Sequence, residues 1–260
     1  MVRSPQKYLG FPIALVRAGE QIARAAGMWG AQEVVPGVYQ LWAVASAVFV
    51  ILGERVTIVD AGGLGSAGLV LRFLERLGRR PGEVGHIVVT HHHLDHTGSL
   101  ARLKEATGAA VAAHRKEVPF LTGPMPNPFV HPALAALTRP IVQRLEPRRV
   151  EVDVPLEDGQ ALDSLAGFQV LHTPGHTPGS LSLYAPERGL LLVGDALQTR
   201  WGWVRGPAWA FTVDPEAARD TILRLSRLPV RVLCSSHSPP FTDRPAERLQ
   251  RLAVRTAAAI

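Results

Sequence analysis

One stretch of seven residues, Thr90-His91-His92-His93-Leu94-Asp95-His96, carries four histidines and a carboxylate between an apolar strand pattern, His86 to Val89, and a helical pattern, Thr97 to Ala106. Neutral imidazole and carboxylate suit zinc, iron or manganese. An exposed polar loop accounts for one or two histidines, not for this density. The chain must therefore fold so that strand-to-helix turns converge, because a scaffold collects ligands at the ends of its strands. Three later segments offer more ligands: His176 in Thr173-Pro174-Gly175-His176-Thr177-Pro178-Gly179, Asp195 in Val193-Gly194-Asp195, and His237 in Ser235-Ser236-His237. With His91, His93, Asp95 and His96 they suffice for two metal ions, each with three terminal ligands, and one shared carboxylate.

The pattern around these segments predicts an α/β scaffold. Gly37 to Val44, Ala47 to Leu52 and Arg55 to Val59 read as consecutive strands. After the turn Gly62 to Gly65, Ser66 is expected to cap a helix whose Leu69, Phe73, Leu74 and Leu77 keep a helical period until Gly78. Ala109 to Ala113 is a further strand. A second half repeats the plan, with strands Phe168 to His172, Ser180 to Tyr184, Leu190 to Val193 and Val230 to Cys234. Helices open at Asp214-Pro215 and near Pro245. Two similar halves predict a four-layer αββα sandwich over residues 34–260, preceded by an extension, 1–33. Between the halves, 116–150 is rich in proline around an apolar stretch, Ala133 to Leu145, and reads as an insertion.

The 260 residues are 47% hydrophobic and 19% charged, which excludes disorder as the main state. The longest apolar run, Leu41 to Gly53, is too short to cross a bilayer. A single cysteine, Cys234, reads as a small buried hydrophobe and fits a reducing cytoplasm. The net charge of +6 comes from scattered arginines rather than a basic arm, so nucleic acid is not an expected partner.

In its His-x-His-x-Asp-His motif and the ordered later His, Asp and His, the chain resembles the metallo-β-lactamase superfamily from about Val34 onward. Val59-Asp60-Ala61-Gly62 is similar to that superfamily's early Asp-x-Gly turn. The resemblance implies one metal ion on His91, His93 and His176, a second on Asp95, His96 and His237, and Asp195 bridging them. It implies Asp60 behind a ligand histidine, which it orients. Zinc is the first choice of ion, with iron or manganese as the others that such ligands hold. His92, His86, His114, His131 and His172 match no family ligand.

Within the superfamily, Asp195 stands where true β-lactamases usually have cysteine or serine. Esterases, lactonases, thioesterases and phosphodiesterases have aspartate there. The wording THHHLDH resembles glyoxalase II, although only 23 residues follow His237, in place of that family's long helical domain. Acyl-homoserine lactonases resemble the chain in ligand set but carry a tyrosine where Gln198 stands. The expected activity is hydrolysis of an ester-type bond by a bridging hydroxide, with Asp95 as proton acceptor and Asp195 as the bridging carboxylate. A persulfide dioxygenase with one iron is the alternative, and phosphodiesterase and β-lactamase rank behind it. Phe120, Met125 and Phe129 of the insertion, with Trp201 and Trp203, are expected to line an apolar substrate cleft, which implies a partly hydrophobic small molecule. A homodimer is the partner arrangement compatible with these apolar groups.

Overall fold

Ala47–Ile51 (β3) contains no polar residue, and every side chain in it is buried. Successive strand residues point to opposite faces, so such a strand needs cover on both sides. Val48 and Val50 join one apolar cluster, while Ala47, Phe49 and Ile51 join another. That division repeats through the molecule and produces its layers.

The computed structural model describes residues 30–124, 130, 132–145, 147–162, 165, 167–200 and 202–258. The first sheet has seven strands in sequence order: Ala31–Val35 (β1), Val38–Trp42 (β2), β3, Val56–Val59 (β4), Val84–Val89 (β5), Ala110–His114 (β6) and Val154–Leu156 (β7). β1 to β4 pair antiparallel and β4 to β7 pair parallel. The second sheet orders Val232–Cys234 (β13), Leu190–Leu192 (β10), Leu181–Ala185 (β9) and Gln169–His172 (β8). A hairpin, Gln198–Arg200 (β11) with Trp203–Arg205 (β12), stands apart from both sheets.

Helices cover the outer faces. Ala67–Arg76 (α1) and Leu100–Thr107 (α3) set Val70, Leu74, Leu100 and Leu103 against Ile58, Ile87 and Val111. Leu94–Thr97 (α2) is a single turn within the histidine motif. Val118–Thr122 (α4) and Pro132–Arg144 (α5) lie in the proline-rich segment. Pro215–Leu225 (α6) and Pro245–Ala258 (α7) bring Ile222, Leu225 and Leu249 onto Leu191, Val193 and Leu233. Between the sheets, Phe49, Val59 and Val88 meet Leu181, Leu183, Leu190 and Leu192. The four-layer αββα order is therefore present, and residues 31–260 make one compact unit. None of the described helices is long and apolar enough to cross a membrane. Cys234 is fully buried.

Two local expectations change. Ser66 precedes α1 without capping it, because its hydroxyl instead accepts the Val44 amide at 3.0 Å. Asp214 does cap α6, accepting from the Ala217 amide. The helix expected over Thr97 to Ala106 breaks at Gly98-Ser99. Here the chain presses on the turn after β4, with Ser99 Oγ donating to the Gly63 carbonyl at 2.7 Å. A Cβ at Gly98 would stand 2.5 Å from the Leu64 nitrogen, so only glycine fits this approach.

Candidate metal centre

Every predicted ligand lies just beyond the carboxyl end of a strand or in a strand-to-strand turn. β5 leads into His91, His93, Asp95 and His96, the β8–β9 turn carries His176, β10 leads to Asp195, and β13 leads to His237. The first four belong to the seven-stranded sheet and the last three to the smaller one, so the cluster straddles the sandwich.

His91, His93 and His176 are buried, and His91 Nε2 and His176 Nε2 each lie 3.1 Å from His93 Nδ1. On the other side, His237 Nε2 is 3.3 Å from Asp95 Oδ2 and 3.1 Å from Asp195 Oδ2. His96 Nε2 is 3.4 Å from Asp95 Oδ2 and 3.5 Å from Asp195 Oδ1. Asp195 Oδ2 also approaches His176 Nε2, at 3.7 Å. Four ligands around one zinc at ~2.0–2.1 Å stand about 3.3 Å apart in a tetrahedron, so these spacings fit ligand shells. His96 Nε2 and Asp195 Oδ1 are buried with no hydrogen-bond partner among the described residues. Such atoms are costly unless something pairs with them, and a cation does so for both. The residues therefore fit metal ions.

Electrostatics divides the cluster. Burial, with the neighbouring histidines, pushes His91 and His93 well below the ordinary imidazole range. Burial also lowers His176. At the other end burial opposes charge on His96, yet Asp95, Asp60 and Asp195 outweigh it and raise its pKa well above the usual value. His237 is raised against the same opposition from burial by its hydrogen bond and charge interaction with Asp195. Burial would raise Asp195 and Asp95, but His96 and then His237 hold both carboxyls low and ionised. The open side of the cluster is marked by His237 and Asp95, whose side chains are 39% and 30% exposed.

Asp60 sits at the end of β4 in a left-handed conformation, φ 63°. Its Oδ1 accepts the Thr90 amide at 2.7 Å, while Oδ2 takes the Thr90 hydroxyl and lies 2.8 Å from His96 Nδ1. It thus orients His96 so that Nε2 faces Asp95 and Asp195.

Glu117 is the residue that sequence reasoning passed over. Its side chain is completely buried. Oε2 accepts the His92 amide at 2.8 Å and lies 2.6 Å from His92 Nδ1. Oε1 accepts from Thr177 Oγ1 at 2.8 Å and from the Gly179 amide at 2.7 Å. Burial would raise its pKa, but the His92 contact and these donors prevail and lower it. His92 is therefore paired with Glu117, and the Phe120 ring stacks on it with centroids 4.4 Å apart. His114 and His172, also outside the ligand set, stack on each other at 3.9 Å.

Of the expected substrate-lining residues, Met125, Phe129 and Trp201 lie outside the described residues. Trp203 packs against Arg255 of α7 and shares a groove with Arg205, Gly206 and Leu252, none of them a ligand. Phe211 has its ring centroid 6.3 Å from that of His93. Beside it, the Val130 amide of the insertion donates to the Ala210 carbonyl at 3.0 Å. Trp209, Leu137, Val213 and Val130 are exposed apolar residues of these same two segments.

Comparison with known proteins agrees with the geometry. The profile of the metallo-beta-lactamase superfamily matches residues 41–237. The probable metallo-hydrolase YflN of Bacillus subtilis is 28% identical over 252 residues, covering 90% of this chain and 92% of the relative. A hydroxyacylglutathione hydrolase of Ectopseudomonas mendocina is 31% identical over 187 residues, 71% of this chain but only 57% of that protein. The crystal structure of TTHA1623 in a di-iron-bound form superposes with a TM-score of 0.61 at 30% identity, covering 84% of this chain and 96% of the other. With the αββα layers and the ligand cluster at the strand ends, and with relatives named as hydrolases, the chain belongs to the metallo-beta-lactamase superfamily.

Proposed function

We propose that this chain is a dinuclear hydrolase of ester-type bonds, whether lactone, thioester or carboxylic ester, acting on a substrate with an apolar acyl or aryl group. The observation that carries this reading is the position of Asp195, whose Oδ2 lies 3.7 Å from His176 Nε2 and 3.1 Å from His237 Nε2 while its Oδ1 lies 3.5 Å from His96 Nε2, so that one carboxylate adjoins both groups of ligands. One ion would be held by His91, His93 and His176, the other by Asp95, His96 and His237, with Asp195 between them. When bound, such ions lower the pKa of a shared water toward neutrality and polarise a carbonyl.

The chain's own residues do the rest. Asp60 fixes the His96 ring. Asp95, ionised and on the open side, is the carboxylate placed to take the proton of the attacking hydroxide and hand it to the departing oxygen or sulfur. Phe211, Trp209, Val213 and Val130 supply an apolar rim beside His93, and apolar walls with a few polar groups are the usual form of a small-molecule site. Zinc is the proposed ion.

The test is metal analysis of the purified protein beside a panel of lactone, thioester, aryl ester, phosphodiester and β-lactam substrates. Two equivalents of divalent metal and turnover of the ester-type compounds are expected. One equivalent of iron with oxygen uptake on a persulfide would replace this reading by a dioxygenase.

A further inference from the structure

We propose that Glu117 is a positioning residue of the metal centre, one carboxylate that sets the turn carrying His91 and His93 against the turn carrying His176. This rests on the metal-binding reading above.

The two turns come from different sheets. Residues 90–97 follow β5, and residues 173–180 join β8 to β9. At their bases they share a backbone bond, Leu181 amide to Thr90 carbonyl, 3.0 Å. Nearer the ligands the connection is Glu117. One oxygen holds the peptide nitrogen and ring of His92, which lies between two ligands in the chain. The other oxygen holds the hydroxyl of Thr177, the residue after His176, and the amide of Gly179.

Four donors converge on this group, and only a carboxylate offers acceptors on both sides. The surroundings are shaped for it. Thr177 Oγ1, having given its proton to Glu117, accepts from Ser180 Oγ at 2.7 Å, and Ser180 Oγ takes the Thr177 amide at 3.1 Å. A Cβ at Gly179 would stand 2.8 Å from Glu117 Oε1 and from its backbone nitrogen, so a side chain there would displace the carboxylate. Phe120 closes the other face of the His92 ring. Glu117 itself reaches in from the short turn Arg115–Glu117, which is fixed where the Lys116 amide donates to His114 Nδ1.

The hydrogen bonds of Glu117 go to His92, Thr177 and Gly179, none of them a ligand. Its effect passes through His92 and Thr177 to the spacing of His91 and His93 against His176. A misplaced ligand pair loses affinity before it loses the fold, and outer partners of metal ligands typically contribute about 10–100-fold.

The experiment compares wild type, Glu117→Gln and Thr177→Val. The readouts are zinc affinity by chelator competition, the visible spectrum of the Co2+-substituted protein, far-UV circular dichroism, and kcat and KM on whichever panel substrate is turned over. Glu117→Gln keeps the volume but turns an NH2 toward donors on one side. It is expected to keep the wild-type dichroism, weaken zinc at one site about 10–100-fold, alter the cobalt spectrum and lower kcat more than KM. Thr177→Val removes one of the four donors and should shift the same readouts in the same direction by less. If Glu117→Gln does not fold, Thr177→Val decides alone. Wild-type zinc affinity and an unchanged cobalt spectrum in the folded variants, with only a lower Tm, would overturn the proposal by leaving Glu117 a packing role. Failure of the wild-type protein itself to bind metal would sink the metal-binding reading, and this inference with it.

Discussion

Asp60 Oδ2 and His96 Nδ1 are buried together 2.8 Å apart, at the meeting of the β4 turn and the histidine turn. The contact fixes which nitrogen of His96 is left for a metal. Asp60→Asn tolerates the same left-handed backbone but replaces an acceptor by an amide group. It is expected to weaken metal binding about 10–100-fold with the far-UV dichroism unchanged. Asp60→Ala should also cost about 1–3 kcal/mol of stability, because the buried Thr90 amide loses its acceptor. Zinc titration and urea unfolding of the two variants separate these effects.

Asp95 and His237 stand on the same side of Asp195 and share the open face. Asp95→Ala and His237→Ala are each expected to lose one of two metal equivalents and to cut hydrolysis by orders of magnitude, with the fold retained. Full activity with two metals bound in either variant would rule out the assignment. Asp195→Ala should weaken both equivalents, which metal analysis after gel filtration would read directly.

The apolar rim makes a prediction about chain length. Phe211→Ala should raise KM for long acyl or aryl substrates by roughly tenfold and leave short ones nearly unchanged. Trp203→Ala is the comparison, since Trp203 packs on Arg255, and its KM values should not depend on chain length. A Phe211→Ala effect that is equal for short and long substrates would show that the rim does not hold the acyl group.

His114 supplies a pH dependence separate from the metal ligands. Burial, followed by the stacked His172, lowers its pKa from 6.5 to about 4. The fold therefore favours the neutral ring, and the unfolded chain binds more protons between those values. Stability from this group is fully present above about pH 6.5 and is lost as pH falls toward 4. The upper bound is about 3 kcal/mol at 1.36 kcal/mol per pH unit. Urea unfolding of the metal-free protein at pH 7, 5.5 and 4.5 should show a loss that His114 shares with the buried His91, His93 and His176, and His114→Gln should make it less steep. Parallel curves for wild type and variant would exclude His114 as a source.

The sequence made the scaffold and the ligands legible because both are local patterns. β3 announces a doubly covered strand in five consecutive apolar residues, and His91 to His96 announces a metal turn in six. Elements whose support is remote were not legible. β1 exposes Gln32 and Glu33 at a sheet edge, and β7 contains Pro155, an edge-strand residue with no amide to donate. The β11–β12 hairpin is polar and short, with nothing in its own residues to separate it from a loop. Ser66 has the right type for a helix cap, but a backbone amide 22 residues away claims its hydroxyl. Glu117 is a lone carboxylate at the start of a proline-rich stretch, and the partners that give it meaning lie 25, 60 and 62 residues off. A paired carboxylate looks like any other glutamate until the fold brings its donors to it.

The division of ligands between the two sheets has a consequence for biosynthesis. A ribosome delivers His91, His93, Asp95 and His96 with the larger sheet, but His176, Asp195 and His237 arrive only with the smaller one. The nascent chain thus exposes a partial chelator long before it owns a complete one. A full set of ligands exists only once the two sheets have closed on each other.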